Sequence, residues 1–143
     1  MNIIWTYWED QPGEDTPSPI FLYHEILRYQ CQGCEFRLVT PANVHQYIPD
    51  LNPFLWKITN KNGNANLIRS ILIRVFLLEN YGGLYVDSES IALQNYTEIF
   101  QTVANYDFFS VKHTVDGTVT VSLDFFGSRA AGKIITKYAN ILR

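Results

Sequence analysis

One nine-residue stretch, YGGLYVDSE at positions 81–89, constrains this chain most. An apolar, helix-like run ends at Tyr81, and the two glycines that follow can adopt the positive φ angles that end a helix without steric cost. A short β-type run then leads to Asp87 and Glu89. Because side chains two positions apart in an extended segment point to the same side, these carboxylates are expected to lie together. Two hard oxygen ligands at the end of a strand suit a divalent cation that also holds phosphate oxygens.

Hydrophobic periodicity and turn residues predict the order of the remaining elements. Strands are predicted at 3–8, 35–40, 107–111 and 119–126, besides the short run at 84–86. Helices are predicted at 19–29, 42–47, 65–80, 96–104 and 130–142, with a helical turn at 54–58. Strands that alternate with helices favour a three-layer α/β architecture with a mainly parallel sheet.

Local signals sharpen some of these boundaries. Thr40 and Pro41 are typical of the N-cap and first position of the short helix. Asp116 and Gly117 predict a hairpin turn between two strands. The polar segment 60–64 is a strong breaker before the longest helix. On that helix, the apolar residues predicted to face the core are Leu67, Ile68, Ile71, Leu72, Val75 and Leu78.

Composition places the chain among folded globular proteins. Its 143 residues are 47% hydrophobic and 17% charged, which predicts a single domain over 1–143 with a real core. The net charge is −3 without any basic run, so no nucleic-acid partner is expected. The sequence has neither a signal-peptide pattern nor 18 consecutive apolar residues, so a cytoplasmic location is expected, with peripheral association at the inner membrane face left open.

The cysteines and histidines carry weaker signals. Cys31 and Cys34 form a lone CxxC pair without further soft ligands, which favours two reduced structural thiols over a redox or zinc site. His24, His45 and His113 are scattered without ligand spacing, and we interpret them as packing or surface residues.

A polar line on the longest helix leads toward the carboxylates. Asn66, Ser70 and Arg74 stand four positions apart and therefore share one face of the helix. A guanidinium on this line could hold phosphate or sugar hydroxyls in a fixed fork. The alternatives are a solvated helix face or a purely structural pair between Arg74 and Asp87.

These residues resemble a known family. The strings SILIR at 70–74 and YGGLYVDSE at 81–89 are similar to the "SDxxR…YGGxYxDxD" block of DXD-type sugar transferases. The opening IIWTYW at 3–8 and RLVT at 37–40 resemble the first two strands of that family. The block resembles that of the capsular polysaccharide synthesis proteins and of the yeast initiating mannosyltransferase-like group, and the glucosylating clostridial toxins share it.

The resemblance implies a GT-A-like, three-layer nucleotide-sugar-binding domain that is short or truncated at its C-terminus. It implies that Asp87 and Glu89 hold Mn²⁺ or Mg²⁺ on the donor diphosphate, and that Asp87 and Arg74 are catalytic. The residues expected to bind the UDP- or GDP-linked donor are Trp5, which would stack on the base, Tyr7, Asn66, Ser70, Arg74, Gly82, Gly83 and Asp124. The chain departs from the pattern at Ile71, where the family has Asp, and at Glu89, where it has a second Asp.

Two function classes follow. The first is a metal-dependent, retaining hexosyltransferase that acts on a polysaccharide, glycan or lipid-linked acceptor, as the resemblance implies. The second is a catalytically inactive GT-A-like domain that still binds the nucleotide. A cysteine-dependent redox protein is a remote third, because it rests on one CxxC pair alone.

Overall fold

The computed structural model describes residues 2–59 and 64–143, which contain five strands in one sheet and five α-helices. The strands are β1 (Ile3–Tyr7), β2 (Glu35–Val39), β3 (Gly83–Val86), β4 (Phe108–Val115) and β5 (Thr118–Ser128). The helices are α1 (Ser18–Gln30), α2 (Val44–Tyr47), α3 (Ala65–Tyr81), α4 (Thr97–Asn105) and α5 (Lys133–Leu142). A 3₁₀ turn covers Pro53–Lys57. Most of the predicted breaker at 60–64 lies outside the described residues.

The sheet is mixed, so the prediction of a mainly parallel sheet was wrong. Its order is β2-β1-β3-β5-β4, and β1 pairs in parallel with both β2 and β3. The pairs β3–β5 and β4–β5 are antiparallel. A two-residue turn at Asp116 and Gly117, both with positive φ, joins β4 to β5 and forces their antiparallel pairing. The hairpin prediction is therefore confirmed, and it accounts for the β4–β5 pair; β3–β5 is the second antiparallel pair of the sheet.

Helices cover both faces of the sheet, as the three-layer prediction requires. Every residue of β1 is buried, because alternate side chains enter two different cores. Ile3, Trp5 and Tyr7 pack with α3 and α5, while Ile4 packs with α1 and α4. This double burial explains why β1 is apolar at every position except Thr6.

The predicted apolar stripe of α3 is confirmed at Val75 and Leu78, which are fully buried, but not in the first turns of the helix. Leu67 is 48% and Ile68 43% exposed, whereas Arg69 on the same turns is buried. The face that packs on the sheet runs through residues four positions apart: Ala65, Arg69, Ile73 and Leu77. The hydrophobic periodicity predicted the helix correctly. It did not predict the buried face, because that face contains a charged residue, Arg69.

Two further expectations need correction. The short helix α2 begins at Val44 with Asn43 as its N-cap, because the backbone N–H of Thr40 donates to Asn43 Oδ1 at 2.8 Å and makes a turn there. Cys31 and Cys34 form a disulfide, so the prediction of two reduced thiols was wrong; a turn at Gly33, with φ of 75°, brings their Cα atoms to 5.2 Å. No helix within the described ranges is long and apolar enough to cross a bilayer.

Candidate functional site

A cleft of about 350 Å³ opens where β1 and β3 end. Its walls are the loop that follows β1, the first turns of α3, and the turn that follows β3. Six of the residues predicted from sequence line this cleft: Tyr7, Asn66, Ser70, Arg74, Asp87 and Glu89. Residues remote in sequence meet here because parallel strands place their carboxyl ends at the same edge of the sheet.

Backbone bonds fix the turn that carries the two carboxylates. The N–H of Asp87 donates to the carbonyl of Asp124 on β5 at 2.7 Å, and the N–H of Ser90 donates to Asp87 O at 3.0 Å. The N–H of Glu89 donates to Asp87 Oδ2 at 3.2 Å. Asp87 is half-buried and Glu89 is exposed. One carboxylate is thus held by the protein, while the other is free to adjust to a ligand.

Arg74 organises the floor of the cleft. Its side chain is only 2% exposed, and its guanidinium lies 4.5 Å from the ring centroid of Tyr85. All five N–H groups have protein acceptors: Ser70 O (3.2 Å), Leu123 O (2.6 Å), Asp124 Oδ1 (3.1 Å), Asp87 Oδ1 (3.3 Å) and the hydroxyl of Ser70. A direct bond from Arg74 to a donor would therefore have to replace one of these.

Asp124 shares this guanidinium with Asp87. Its side chain is 71% exposed, and one of its oxygens accepts from Arg74. Asp124 does not line the cleft itself, but its backbone carbonyl holds Asp87. The expected donor contact at Asp124 stays a prediction, with the side chain beside the carboxylate turn rather than in the cleft.

A second arginine, Arg69, which the sequence analysis missed, stabilises the opposite wall of the cleft. All of its N–H groups also have protein acceptors. Arg69 donates to both oxygens of Glu9 at 2.8 and 2.9 Å, and to Asn66 Oδ1 at 2.8 Å. Its remaining N–H groups donate to the carbonyls of Leu55 and Ile58, each at 3.0 Å. This arrangement ties the loop after β1 to α3 and to the end of the 3₁₀ turn. One signal in the sequence could have predicted the burial of Arg69. It lies four positions from both Ala65 and Ile73, which are on the buried face of α3.

Glu9 also accepts from a tyrosine. The hydroxyl of Tyr7 donates to Glu9 Oε2 at 2.8 Å. Burial raises the pKa of Tyr7 well above its ordinary value of 10.0, and the hydrogen bond to Glu9 raises it further. Tyr7 is consequently a neutral hydroxyl at the cleft at any physiological pH.

A buried polar cluster lies behind the carboxylate turn. Ser88 is 2% exposed, and its hydroxyl lies 2.9 Å from Thr6 Oγ1, 3.0 Å from His24 Nε2 and 2.9 Å from the carbonyl of Tyr7. Burial lowers the pKa of His24, with a further lowering by Arg28. His24 is therefore a packed, neutral histidine, in keeping with its interpretation as a packing residue.

Trp5 does not reach the cleft, which contradicts its expected role as a stacking face. The side chain is fully buried, and its indole N–H donates to Gly82 O at 2.9 Å. The rings of Tyr47 and Tyr81 lie at centroid distances of 5.2 and 5.4 Å from it. Since Trp5 points to the core from the middle of β1, neither ring face is available to a base.

Gly82 and Gly83 also lie away from the cleft, so their expected donor contact is contradicted. Gly82 precedes β3 and Gly83 is its first residue, whereas the carboxylates follow the strand. A Cβ on Gly82 would meet the backbone N of Ala130 at 2.6 Å, and one on Gly83 would meet Ile3 O at 2.5 Å. Both residues have positive φ, and their role is to let the end of α3 pass close to neighbouring backbone.

Two comparisons with known proteins found a match. The chain matches the family model described as capsular polysaccharide synthesis protein over residues 1–142. It is similar to a solved structure titled "PaToxG Glycosyltransferase", with a TM-score of 0.69 at 9% identity. That alignment covers 97% of this chain and 58% of the other, so the chain spans little more than half of that protein. No curated protein matches the chain.

The two comparisons support different statements. At 9% identity the structural similarity shows a shared fold, which is that of a glycosyltransferase. The family model covers nearly the whole chain, including the cleft and the turn at 87–89. This chain belongs to the capsular polysaccharide synthesis protein family.

Proposed function

We propose that this chain is a metal-dependent glycosyltransferase. It transfers a hexose from a UDP- or GDP-linked sugar to a polysaccharide, glycan or lipid-linked acceptor. The observation that carries the proposal is the position of Asp87 and Glu89, which line one cleft at the carboxyl end of β3. Ligands of α/β sheets bind at this edge, in the crevice outside the ends of the strands.

The charge of the cleft supports the metal. Five carboxylates line it: Glu9, Glu14, Asp15, Asp87 and Glu89. Arg69 neutralises Glu9 and Arg74 neutralises Asp87, while the other three have no ion pair among the described residues. A diphosphate that entered this cleft alone would be repelled. A divalent cation reverses that repulsion, because it binds carboxylate and phosphate oxygens together.

The available ligands fit Mg²⁺ or Mn²⁺ held jointly by protein and substrate. No group of three or more His, Cys, Asp or Glu side chains within 2–59 and 64–143 is arranged to hold an ion. Mg²⁺ commonly binds through one or two carboxylates plus substrate phosphates, not in an all-protein cage. Asp87 and Glu89 supply those two carboxylates. When bound, the ion would neutralise the charge that develops on the departing nucleoside diphosphate.

The chain's own residues would prepare this site before the donor arrives. Arg74 holds Asp87 at 3.3 Å and so fixes the direction of one carboxylate. Glu89 is exposed and adapts to the position of the phosphates. Asn66 and Ser70 line the cleft on α3, where their polar atoms would orient donor hydroxyls. Orientation of this kind lowers the barrier because the entropy is lost on binding and not in the transition state.

The proposal extends to stereochemistry and location. The family resemblance implies retention of the anomeric configuration, which NMR of the product anomer would test. A lipid-linked acceptor would bring the chain to the cytoplasmic face of the inner membrane as a peripheral protein.

A second candidate, a domain that binds the donor without turnover, has one observation in its favour. Ile71 follows Ser70 on α3 and offers no hydrogen bond to a sugar, at a position where the resembling family has Asp. Ile71 is not among the residues that line the cleft, so the candidate depends on the missing carboxylate: without it sugar hydroxyls stay unpaired, which costs about 1–3 kcal/mol for each bond in a dry site. Binding without hydrolysis or transfer would identify this candidate.

The test is a thermal-shift screen of UDP-, GDP- and CDP-sugars with and without Mn²⁺. One donor is expected to stabilise the protein only when Mn²⁺ is present, since ligand binding raises the melting temperature by mass action. Asp87→Asn should weaken this metal-dependent binding by at least about tenfold, because even outer-shell changes reach that size.

The matched control is Asp116→Asn at the hairpin turn. Asn is favoured at this positive-φ position, so the same chemical change should leave fold and binding intact. Equal Mn²⁺-dependent affinity in Asp87→Asn and Asp116→Asn would refute the proposed site. Transfer or hydrolysis of the bound donor then separates the enzyme from the inactive candidate.

A further inference from the structure

The residue between the two carboxylates connects the site to helix α1. Residues 87–89 all border the cleft, but Ser88 is 2% exposed, because the turn after β3, closed by the bond from the Ser90 N–H to Asp87 O, directs its hydroxyl into the protein. Its hydroxyl meets Thr6 on β1 and His24 on α1. His24 is 5% exposed and Thr6 is fully buried, so the protein must satisfy every polar atom of the cluster.

Counting protons fixes the direction of each bond. The carbonyl of Tyr7 can only accept, so the single hydroxyl proton of Ser88 is donated to it at 2.9 Å. Ser88 Oγ then has two lone pairs left, and both must accept. The donors are the hydroxyl of Thr6 and the Nε2–H of His24. His24 is thus assigned the tautomer with the proton on Nε2. The proton and both lone pairs of the Ser88 hydroxyl are then all hydrogen-bonded.

This cluster holds the carboxylate turn from the side that faces away from the cleft. Arg74 on α3 holds the side chain of Asp87, and β5 holds its backbone N–H. Ser88 adds attachments to β1 and α1. Glu89 has no comparable side-chain bond among the described residues, so its position depends on the residue before it.

We infer that His24 is a positioning residue for the proposed donor site: by donating to Ser88 it fixes the turn from which Asp87 and Glu89 reach the cleft. His24 touches neither carboxylate and acts only through Ser88. The inference rests on the proposed function for the identity of the ion, but the restraint on the turn is a property of the protein alone.

The experiment compares three variants of the full chain. His24→Gln keeps an N–H donor of similar reach, whereas His24→Leu fills the space without one. Leu27→Val is the matched control, because Leu27 is fully buried on the same helix and has no bond to Ser88. Mn²⁺ titration of each variant gives the affinity for the metal alone, and amide hydrogen exchange of Glu89 and Ser90 gives the restraint on the turn.

His24→Leu should weaken Mn²⁺ binding about tenfold, the lower end for partners that orient metal ligands. It should also speed exchange of the Glu89 and Ser90 amides about tenfold. His24→Gln and Leu27→Val should match the wild type in both measurements, although Leu27→Val melts earlier.

Wild-type values in His24→Leu would overturn the inference. So would equal losses in His24→Leu and Leu27→Val, because a general loosening of α1 would then explain both. Because the ion is proposed to be held jointly with the donor phosphates, the titration is repeated with the donor from the thermal-shift screen if Mn²⁺ alone does not bind the wild-type protein. If Mn²⁺ does not bind with the donor either, the proposed metal site fails, and the exchange rates alone still decide the role of His24.

Discussion

Replacing Arg74 by lysine tests whether the guanidinium is needed for its five bonds or only for its charge. Lysine keeps the charge but has three N–H groups, so at least two of the five acceptors lose their donor. Each lost bond costs about 1–3 kcal/mol where water cannot replace it. Since Arg74 is 2% exposed but Asp124 is 71% exposed, solvent compensates only part of the loss. We expect Arg74→Lys to lower the free energy of unfolding by about 2–4 kcal/mol.

Urea denaturation measures this difference, with a constant m-value as the sign that only stability has changed. The control is Arg129→Lys, the same substitution at a pair with Asp107 whose arginine is 59% exposed. A surface change of this kind should stay within about 0.5 kcal/mol. If Arg74→Lys costs no more than Arg129→Lys, the five-bond account of the cleft floor is wrong.

Three other predictions follow from the positions of single residues. Trp5→Ala should lower the free energy of unfolding in urea by about 3–5 kcal/mol, as expected for a buried aromatic, and leave the donor affinity of the folded protein unchanged. Weakened donor binding would instead support a role for Trp5 in stacking on the nucleobase. Gly82→Ala should be at least about 1–3 kcal/mol less stable than Gly117→Ala, because only Gly82 meets backbone at 2.6 Å; equal melting temperatures would contradict this. Burial lowers the pKa of His24 from 6.5, so the unfolded state takes up its proton first and stability should fall as pH drops below 6.5; denaturation from pH 7 to 5 should show a shallower fall in His24→Gln, and identical slopes would refute it.

The sequence allowed the cleft to be predicted because its residues carry local signals. The four-residue spacing of Asn66, Ser70 and Arg74 and the end of a strand at Val86 each indicate a direction for a side chain. Asp87 and Glu89 do meet at the cleft, but the expected extended segment was wrong, because residues 87–90 form a turn. The structure brings these residues to one cleft, while their binding roles remain proposals. Strong local chemistry also gave the hairpin at residues 116 and 117.

What could not be predicted depends on long-range contacts. The hydrophobic pattern does not record strand direction, so the antiparallel β5 between β3 and β4 was missed. Trp5 sits on an apolar strand that is buried on both faces, and sequence alone cannot say which residues of such a strand reach its end. The sequence analysis missed Arg69 because its partner Glu9 is sixty positions away. A motif likewise shows that Gly82 must be small without showing what it approaches.

The position of β1 in the sheet sets the order in which this protein can fold. β1 pairs with β2 through Ile3 and Glu35, and with β3 through Ile4 and Leu84, so its second partner is made much later. The carboxylate turn also needs the carbonyl of Asp124. During synthesis the apolar β1 therefore has one unpaired edge until β3 has emerged, which exposes it to aggregation. We therefore expect the yield of soluble protein to depend more on how fast β1 pairs with β3 than on the stability of the folded protein.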